Sequence, residues 1–451
     1  MQKISQISLD LNSKAQVFNG LSISHDSLPF SFDFPNKTMT FVEIKVFSID
    51  KRYIAMKHTF LLAYLVSCIF LSACQNSSNG SSATYDIDLV ESKKITLPID
   101  ENTYYFSHAL FQYEEDGKEY LSFENTKKHQ YNIHIYDISS QEMVKTILMQ
   151  KEGPNGVPAV RGSRYVENLG NFLLFQHNAR HITLYSAKEE VLRNYRMVSP
   201  KFPFIGFNVD SYYYNPSFLK DSVLYLAADV IKPNIKKEDW KTIPMLLSLD
   251  LRTGEIDFPP INYPSVFNQD VKNLSVGSEF SYDYNQKENR LVCSFISYDS
   301  LMVSDDLHTV KWFNGKSRYL EENLKPRLAE ASDGLREFAA LKQSGHYFHL
   351  MYDRYRDVYY RFVEHPCEPG PGEYLVDDPK AREFSVIIFD KDFRIIGETK
   401  FPGNKYHNKM SFVGRDGLYI SENNLANPEF DEDKLVFACF KLENSKESLS
   451  L

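Results

Sequence analysis

Several features by which a sequence commonly reveals its function are scarce or missing in these 451 residues. Acidic residues outnumber basic ones, and the net charge of -9 argues against a nucleic-acid partner, whose phosphate backbone requires a basic surface. Neither the Gly-x-Ser-x-Gly elbow of α/β-hydrolases nor the His-Glu-x-x-His motif of zinc proteases occurs. The sequence therefore carries no signature of these enzyme classes, and we predict no nucleic-acid partner.

Cysteine is also scarce, with five in the chain. Cys68 and Cys74 lie in an apolar N-terminal segment, which leaves Cys293, Cys367 and Cys439 at wide spacing. An odd number of distant cysteines forms neither a disulfide framework nor a Cys-x-x-Cys metal pair. Because Cys293 and Cys439 lie within apolar runs, we interpret them as buried free cysteines.

The segment that begins at Met56 has the layout of a secretory signal peptide. A basic start is followed by an apolar core from Phe60 to Leu71 and a small-residue exit that ends at Cys74. The core is shorter than the roughly 20 apolar residues of a spanning helix, and it lacks the polar face of a short buried helix, which is the alternative. The exit resembles the bacterial lipobox, and the resemblance implies that Cys74 is lipidated and becomes the first mature residue.

This segment divides the chain into five predicted parts. Because a signal peptide acts from the N-terminus, we interpret residues 1–55 as an unstructured extension that arises from the gene prediction, with translation starting at Met56. The remaining parts are a lipoprotein signal peptide at 56–73, a flexible tether at 74–84, a folded domain at 85–443 and a disordered tail at 444–451.

The aromatic content is high, with 29 tyrosines and 33 phenylalanines, and aromatic residues favour strands. Before the 320s the chain shows short strands separated by turn signals at regular spacing, and no long stretch with helical periodicity. The turns "DISSQEM", "DLRTGEI" and "DKDFRII" recur at the same place in their repeat units. The pattern predicts an all-β fold, and the repeated turn favours a propeller.

Six repeat units can be laid out, and the sixth lacks its last strand. The segment "YDIDLVESKKITLP" at residues 85–98 is a strand without a unit of its own. We therefore predict a six-bladed β-propeller of four-stranded antiparallel blades, closed by this N-terminal strand as the outer strand of the last blade. Closure removes exposed strand edges. A seven-bladed ring is the alternative, if the insertion in the fifth unit contains another blade.

Three features together resemble a group of Bacteroidetes lipoproteins, the domain of unknown function family 4221. They are the lipobox, the "EGPNGV" loop at 152–157 and the "YDRYRDVYYRFVEHP" segment at 352–366. The resemblance covers nearly all of the predicted mature chain. It implies a six-bladed propeller-like lipoprotein of the cell envelope, and it implies no catalytic residue.

The large insertions fall in two classes of loop that share one face of a propeller, those between blades and those that join the second strand of a blade to the third. Function concentrates on such loops. In the "MYDRYRDVYYRFVEHP" segment arginines alternate with tyrosines, which suits carboxylates, phosphates or sugars. Alternatively, the arginines pair with neighbouring acids and the tyrosines pack. We predict a ligand-binding bowl on this face, formed by Arg354, Tyr355, Arg356, Tyr360, Arg361, Tyr212, Tyr213, Lys405, Tyr406, His407, Arg161 and His177.

His177 and His181 are four residues apart, which on a helix is the spacing of two metal ligands. Here they flank a turn between predicted strands, and the sequence offers no clear third ligand. We therefore interpret them as loop histidines and predict neither a metal nor a cofactor.

Together these features predict a monomeric, lipid-anchored β-propeller of the cell envelope that binds a ligand or protein through its insertion-rich face. A glycan or an envelope protein is the candidate partner. The residues after Cys74 lack an acidic run, which favours the periplasmic side of the outer membrane over surface exposure. The alternative function is an envelope glycan hydrolase or lyase that uses the same face, because carboxylates are abundant.

Overall fold

The computed structural model describes residues 83–445 with internal gaps, together with two short strands before them. The gaps are at 128–130, 159, 167–169, 177–179, 199–205, 233, 272–277, 322–323, 325–340 and 368–381. The chain forms two compact units, Met1–Ser81 and Ser82–Leu451. In the first unit, β1 (His25–Ser27) pairs antiparallel with β2 (Lys45–Phe47). The predicted signal peptide and Cys74 lie outside the described residues, so these expectations stay predictions.

The second unit is built from antiparallel sheets whose strands mostly follow one another in chain order. It begins with β3 (Ile87–Pro98). The first four-stranded sheet contains β4 (Leu110–Glu115), β5 (Lys118–Asn125), β6 (Tyr131–Asp137) and β7 (Glu142–Met149). The second contains β8 (Ser163–Val166), β9 (Asn171–Gln176), β10 (His181–Ser186) and β11 (Val191–Arg196).

Two further four-stranded sheets follow. A short strand pair, β12 (Gly206–Asn208) with β15 (Asp229–Ile231), accompanies the third sheet, which contains β13 (Phe218–Lys220), β14 (Val223–Ala227), β16 (Leu246–Asp250) and β17 (Ile256–Asp257). Two single-turn 3-10 helices, Asp239–Lys241 and Ser265–Phe267, lie in its connections. The fourth sheet contains β18 (Phe280–Asn285), β19 (Arg290–Phe295), β20 (Ser300–Ser304) and β21 (Lys311–Asn314).

The last sheet has eight strands and joins the two ends of the unit. Its later strands are β22 (His346–Asp353), β23 (Val358–Glu364), β24 (Phe384–Phe389), β25 (Ile395–Phe401), β26 (His407–Val413), β27 (Leu418–Ser421) and β28 (Lys434–Asn444). The strand order is β22-β23-β24-β25-β3-β28-β27-β26. The N-terminal strand β3 thus pairs antiparallel with the C-terminal strand β28 along the whole length of β28, and it meets β25 through one parallel pair, Gly397 with Ile87.

The first strands of the sheets pack against one another around a centre. Contacts join β4 to β8, β18 to β22, β22 to β26 and β26 back to β4. Four-stranded sheets whose first strands meet at the centre form a β-propeller-like arrangement. The all-β prediction is therefore confirmed, and no helix among the described residues is both long and apolar enough to cross a membrane.

The predicted repeat of the turn between third and fourth strands has a clear physical basis. In each case an aspartate closes the turn, because its Oδ1 atom accepts hydrogen bonds from backbone N–H groups two to four residues further on. A residue with positive φ lies within the turn, as at Gln141, Gly254, Leu307 and Phe393. The shared residue of the predicted turns is thus the aspartate, at positions Asp137, Asp250 and Asp390, and Asp306 closes the corresponding turn of the fourth sheet in the same way.

The abundant aromatic residues fill the spaces between neighbouring sheets. Phe218 of the third sheet stacks on Tyr284 of the fourth with ring centroids 4.1 Å apart, and Tyr113 of the first stacks on Tyr165 of the second at the same distance. Such offset stacking adds to the free energy of apolar burial. The tyrosine and phenylalanine content is thereby explained by packing between sheets.

The "YDRYRDVYYRFVEHP" segment differs from its predicted place in a long loop. Residues Val358–Glu364 are the buried second strand β23, and Arg354 to Asp357 form the tight turn between β22 and β23. Asp357 supplies the positive φ of this turn, 55°, where glycine is the usual residue. Because the turn contains no glycine, the sequence did not reveal it, and the true insertion begins only after Glu364.

Candidate functional site

A central cavity of about 630 Å³ lies where the first strands of several sheets begin. Phe280 and Ser281 at the start of β18 and His346 at the start of β22 line it. Glu124 near the end of β5 and Glu364 at the end of β23 complete this part of the wall. In an antiparallel hairpin the start of the first strand lies beside the end of the second. The cavity therefore opens at the end of the sheets that carries the insertions.

Glu124 is a buried carboxyl group in this wall. Its side chain accepts hydrogen bonds from the backbone N–H of Gly162 and the hydroxyl of Ser163. Its Oε2 atom has no hydrogen-bond partner among the described residues. Burial raises the pKa of Glu124 to about 7, against the smaller lowering effect of the two hydrogen bonds. The cavity thus contains a carboxyl group that is partly protonated at neutral pH and has one unsatisfied oxygen.

The backbone conformation of Gly162 makes the contact with Glu124 available. Its φ is 113°, which residues with a side chain rarely adopt. A Cβ atom at this position would overlap the backbone carbonyl of Ser211. Glycine therefore lets the connection before β13 pack closely against the start of β8, with the Gly162 N–H directed to Glu124.

Three consecutive tyrosines line the cavity from the connection between β12 and β13. The N–H of Tyr213 donates to the carbonyl of His108 at 3.0 Å, and the carbonyl of Tyr214 accepts from the N–H of Tyr282 at 3.1 Å. The rings of Tyr212 and Tyr214 stack with centroids 5.5 Å apart. Backbone hydrogen bonds to the segment before β4 and to β18 thus hold these tyrosines beside the cavity.

Arg161 donates a hydrogen bond to the hydroxyl of Tyr212. Burial raises the pKa of Tyr212 to about 12, and the nearby Asp210 carboxylate acts in the same direction, against the opposing effect of Arg161. Tyr212 is therefore a neutral hydroxyl at physiological pH, and Arg161 is the cation beside it.

A second charged group in the wall is built around Glu364. Arg382 donates to Glu364 at 2.5 Å, and the Nε2 atom of His346 lies 3.4 Å from the same carboxylate. Burial by itself would raise the pKa of Glu364, but His346, Arg382 and Lys409 together hold it well below its ordinary value. Glu364 is therefore ionised at neutral pH, unlike the carboxyl of Glu124.

A second cavity of about 370 Å³ is lined by residues further along β4, β22 and β26. Tyr213 lines both cavities, and its ring packs edge to face on His349 with centroids 5.1 Å apart. Burial lowers the pKa of His349 to about 3, so this histidine is neutral. Tyr213 and His349 thus lie at the junction of the two cavities.

The predicted arginine and tyrosine surface lies away from the central cavity. Arg354 and Tyr355 belong to the turn at the far end of β22, and an eight-residue strand spans about 25 Å. Arg354 donates to Gln112 at 2.9 Å, and the Tyr355 hydroxyl donates to Glu114 at 2.5 Å. Because the segment is a hairpin rather than an insertion, it does not reach the central cavity that Tyr212 lines, but Arg354 lines the second cavity together with Tyr213.

Arg356 and Tyr360 surround a buried carboxylate. Arg356 and the Tyr360 hydroxyl both donate to Asp353, which is fully buried. Arg356 also donates to the carbonyls of Gly414 and Arg415 at 2.8 and 2.9 Å. These contacts join the β22–β23 turn to the β26–β27 turn. The bond to Asp353 agrees with the alternative interpretation of the sequence, in which the arginines pair with neighbouring acids.

Arg361 is buried between two sheets. Its guanidinium donates to the carbonyls of Tyr298, Asp299 and Gly315 at 2.6 to 2.9 Å and to the Ser294 hydroxyl at 2.7 Å. Burial lowers its pKa to about 10, so it remains charged at neutral pH. In this structure Arg361 joins the eight-stranded sheet to the fourth sheet.

The remaining predicted residues divide between the cavity and other places. Arg161, Tyr212 and Tyr213 line the central cavity together. The other three described ones line neither cavity: Lys405 and Tyr406 contact Glu91, and His407 stacks on Phe106, whereas His177 lies outside the described residues.

Metal-binding potential can be judged over the described residues. They contain no group of three or more His, Cys, Asp or Glu side chains arranged to hold a metal ion. Cys293 and Cys439 are buried free thiols, and Cys367 is half-buried. Burial raises the pKa of Cys293 far above its ordinary value, which makes it unreactive.

Sequence reasoning missed much of the cavity wall. Glu124 and Glu364 both occur at the end of a strand whose other residues are mostly buried, "KEYLSFEN" and "VYYRFVE". A charged residue that ends an apolar second strand is a signal that could have been read. The contributions of Arg382 and Lys409 depend on how distant strands come together and leave no local pattern.

Sheets arranged around a polar central cavity define a β-propeller-like protein with its candidate site near the centre. Residues 86–400 match the family described as "Domain of unknown function (DUF4221)", and the chain belongs to this family. The resemblance stated from the sequence is confirmed. Among curated proteins, none matches the chain.

A solved structure of the same family agrees with this assignment, and two further structures show lower similarity. A member of the DUF4221 family from Bacteroides vulgatus is 49% identical, with a TM-score of 0.76, and the match covers 80% of this chain and 100% of that one. A candidate exported protein of Bacteroides fragilis is 10% identical, with a TM-score of 0.47, over 81% of this chain and 98% of that one. A luciferin-regenerating enzyme is 10% identical, with a TM-score of 0.39, over 76% and 94%.

Proposed function

We propose that this protein is a binding module that takes a small polar ligand into the central cavity. The observation that carries the proposal is the unsatisfied, buried carboxyl of Glu124 in a cavity of about 630 Å³ that also holds tyrosines and charged groups. Small-molecule sites commonly have volumes of about 300–1,000 Å³ and a few convergent polar groups. The ligand that enters the cavity is part of a glycan or of an envelope protein in the two candidate versions of this function.

The test is a thermal-shift screen of small polar compounds, with hits measured by calorimetry. Replacing Arg161 by Met or Tyr212 by Ala should weaken a genuine cavity ligand by about tenfold, because each removes a polar contact. The matched control is the double change of Arg354 and Tyr355 to Ala, at the other end of β22. Loss of binding in this control, with the cavity variants unaffected, would refute the proposal and favour the turn as the binding surface.

We also propose that the unit is a six-bladed propeller. The eight-stranded sheet then counts as two blades, β22 to β25 and β26 to β28 with β3, joined at the single pair of Gly397 and Ile87. In this count β3 is the outer strand that closes the ring. The seven-bladed alternative has less support, because six groups of four strands already include every described strand of these sheets.

Lipid attachment at Cys74 would place the protein, as a monomer, on the periplasmic side of the outer membrane. The support is the signal-like segment 56–73, which ends in Leu-Ser-Ala-Cys. Replacing Cys74 by Ser should move the protein from the membrane fraction to the soluble fraction. Mass spectrometry of the wild-type N-terminus should find a lipidated residue 74, and any recovered peptide from residues 1–55 would refute the start at Met56.

Catalysis on a glycan is the second candidate function. It is favoured by two carboxyl groups that line one cavity and differ in protonation at neutral pH. Glu124 is partly protonated, whereas Glu364 is ionised. Environments that shift two carboxyl pKa values apart are typical of acid and base pairs. Incubation with a glycan panel should then release reducing ends, and replacing Glu124 by Gln should stop the release. Binding without any product would exclude this candidate.

A further inference from the structure

Three buried side-chain polar atoms of residues that line the central cavity have no hydrogen-bond partner among the described residues. One is the Nδ1 atom of His346, whose ring already faces Glu364. The other two are the Oε2 atom of Glu124 and the hydroxyl of Ser281, and these two residues are 6% and 3% exposed. A buried polar group left unpaired costs about 1–3 kcal/mol. Since most buried polar groups in native proteins are paired, these two atoms are candidate positions for hydrogen bonds to a ligand.

The charged groups that line the cavity nearly balance one another at neutral pH, where Glu124 is partly protonated. Three carboxyl groups and three cationic groups are present: Glu124, Glu279, Glu364, Arg161, Arg382 and Lys409. The direct ion pair between Glu364 and Arg382 neutralises one of the carboxylates and one of the cations. A ligand with a large net charge of either sign would meet like charges in this wall, so the lining favours a neutral ligand.

The tyrosines supply flat surfaces beside these polar groups. Tyr131 and Tyr212 line the same cavity as Glu124 and Ser281. An aromatic ring offers apolar area to one face of a ligand, while the polar groups bind its edge. A ligand that suits this lining has an apolar ring face and several hydroxyl groups around its rim.

We propose that the central cavity binds a neutral sugar ring whose hydroxyl groups hydrogen-bond to Glu124 and Ser281. This inference rests on the proposed binding function and names its ligand class. A sugar hydroxyl can donate to the Glu124 oxygen, which accepts, and another can donate to or accept from the Ser281 hydroxyl. The tyrosine rings then cover a face of the sugar.

The experiment is calorimetric titration of the purified protein with neutral sugars, charged sugars and amino compounds. The neutral probes are glucose, galactose, mannose, xylose and N-acetylglucosamine, and the others are glucosamine, glucuronic acid, glycine and lysine. Neutral sugars should bind, and Glu124→Gln and Ser281→Ala should each weaken them by about tenfold. Asp283→Asn is the matched control, because Asp283 is another carboxyl whose pKa burial raises, to about 6, but it is half-buried and lines only the second cavity.

The outcomes separate this inference from the proposed binding function. Binding of amino compounds alone, weakened by Glu124→Gln, would overturn the sugar class and leave the binding function in place. Sugar binding that neither cavity variant weakens would overturn the assignment of Glu124 and Ser281. If no small probe binds and the protein captures only macromolecules, both the inference and the small-ligand function are overturned. Thermal denaturation of each variant verifies that it is folded.

Discussion

At the scale of single residues, Glu124 links the cavity to the stability of the protein. Its pKa is about 7 in the folded state because of burial, compared with an ordinary value of 4.5. Between these two pH values the unfolded chain loses its proton first. The free energy of unfolding therefore falls as pH rises through this interval, by at most about 3 kcal/mol, and stays at the lower level above pH 7.

Replacing Glu124 by Gln should therefore stabilise the unliganded protein at pH 8 and have little effect near pH 4.5. Glutamine keeps the oxygen that accepts from Gly162 and Ser163, and it cannot ionise. Thermal denaturation at a series of pH values measures the difference. The exposed Glu152 changed to Gln is the control and should show no such trend. If the Glu124→Gln variant is less stable than wild type at pH 8, the conclusion that burial disfavours the ionised Glu124 carboxylate is contradicted.

Arg361 is the second residue whose role follows from its surroundings. Replacing it by Met should destabilise the protein by at least about 3 kcal/mol, because three backbone carbonyls lose a charged donor. Arg354→Met, in an exposed position seven residues earlier, should change stability by no more than about 0.5 kcal/mol. Urea denaturation compares the two variants. Equal effects would show that the buried position of Arg361 is not decisive.

Residue roles were only partly predictable from the sequence. The alternation of arginine and tyrosine at 352–361 was visible, but it could not separate Arg354, which is exposed, from Arg361, which is buried. Burial depends on which sheet packs against a strand, and that partner is distant in the sequence. Tyr212 and Arg161 were identified because both lie in insertions, where the class of loop determines the face of the propeller on which a residue lies.

At the scale of secondary-structure elements, close contacts between strands depend on glycine. Gly397 in β25 faces β3, and a Cβ atom there would overlap the carbonyl oxygen of Ile87. This is the one place where β3 pairs with β25. A single missing side chain thus permits the junction within the eight-stranded sheet.

Replacing Gly397 by Ala should destabilise the protein by about 3 kcal/mol, because backbone atoms must move to relieve the overlap. Gly170→Ala is the control for the effect of backbone conformation, because its φ is 59° but a Cβ atom there meets no neighbour. We expect about 1 kcal/mol for this control from backbone conformation alone. Denaturant unfolding measures both. An effect at Gly397 no larger than at Gly170 would argue against a tight junction.

Elements were predictable where the local sequence contains their cause. The turns that begin with Asp137, Asp250 and Asp390 recur because aspartate accepts from the next backbone N–H groups, and this pattern is visible in the letters. The turn at Arg354 to Asp357 was missed because it places aspartate in a left-handed conformation without glycine.

At the scale of the whole molecule, the pairing of β3 with β28 joins the two ends of the unit. A chain that starts at residue 99 lacks β3 and exposes the edge of β28 along its whole length. Exposed edges promote strand pairing between molecules. We expect this shortened protein to be less stable and to associate, as measured by thermal denaturation and light scattering.

A chain that starts at residue 83 is the control for this truncation. It keeps β3 and removes the segment before the second unit, so its melting temperature should match that of the full-length protein. A chain from residue 99 that stays monomeric and equally stable would show that β3 is dispensable for the fold.

The sequence by itself determined the all-β class, the family, the signal-like segment at 56–73 and the pairing of the first strand of the second unit with the last. Each of these follows from local patterns, such as alternation, turn residues and an unpaired strand. Only the tertiary structure decided the cavity, because Glu124, Ser281 and Glu364 come from different strands and Arg382 comes from the connection before β24. Their burial and protonation arise from packing among distant segments, which no local pattern contains.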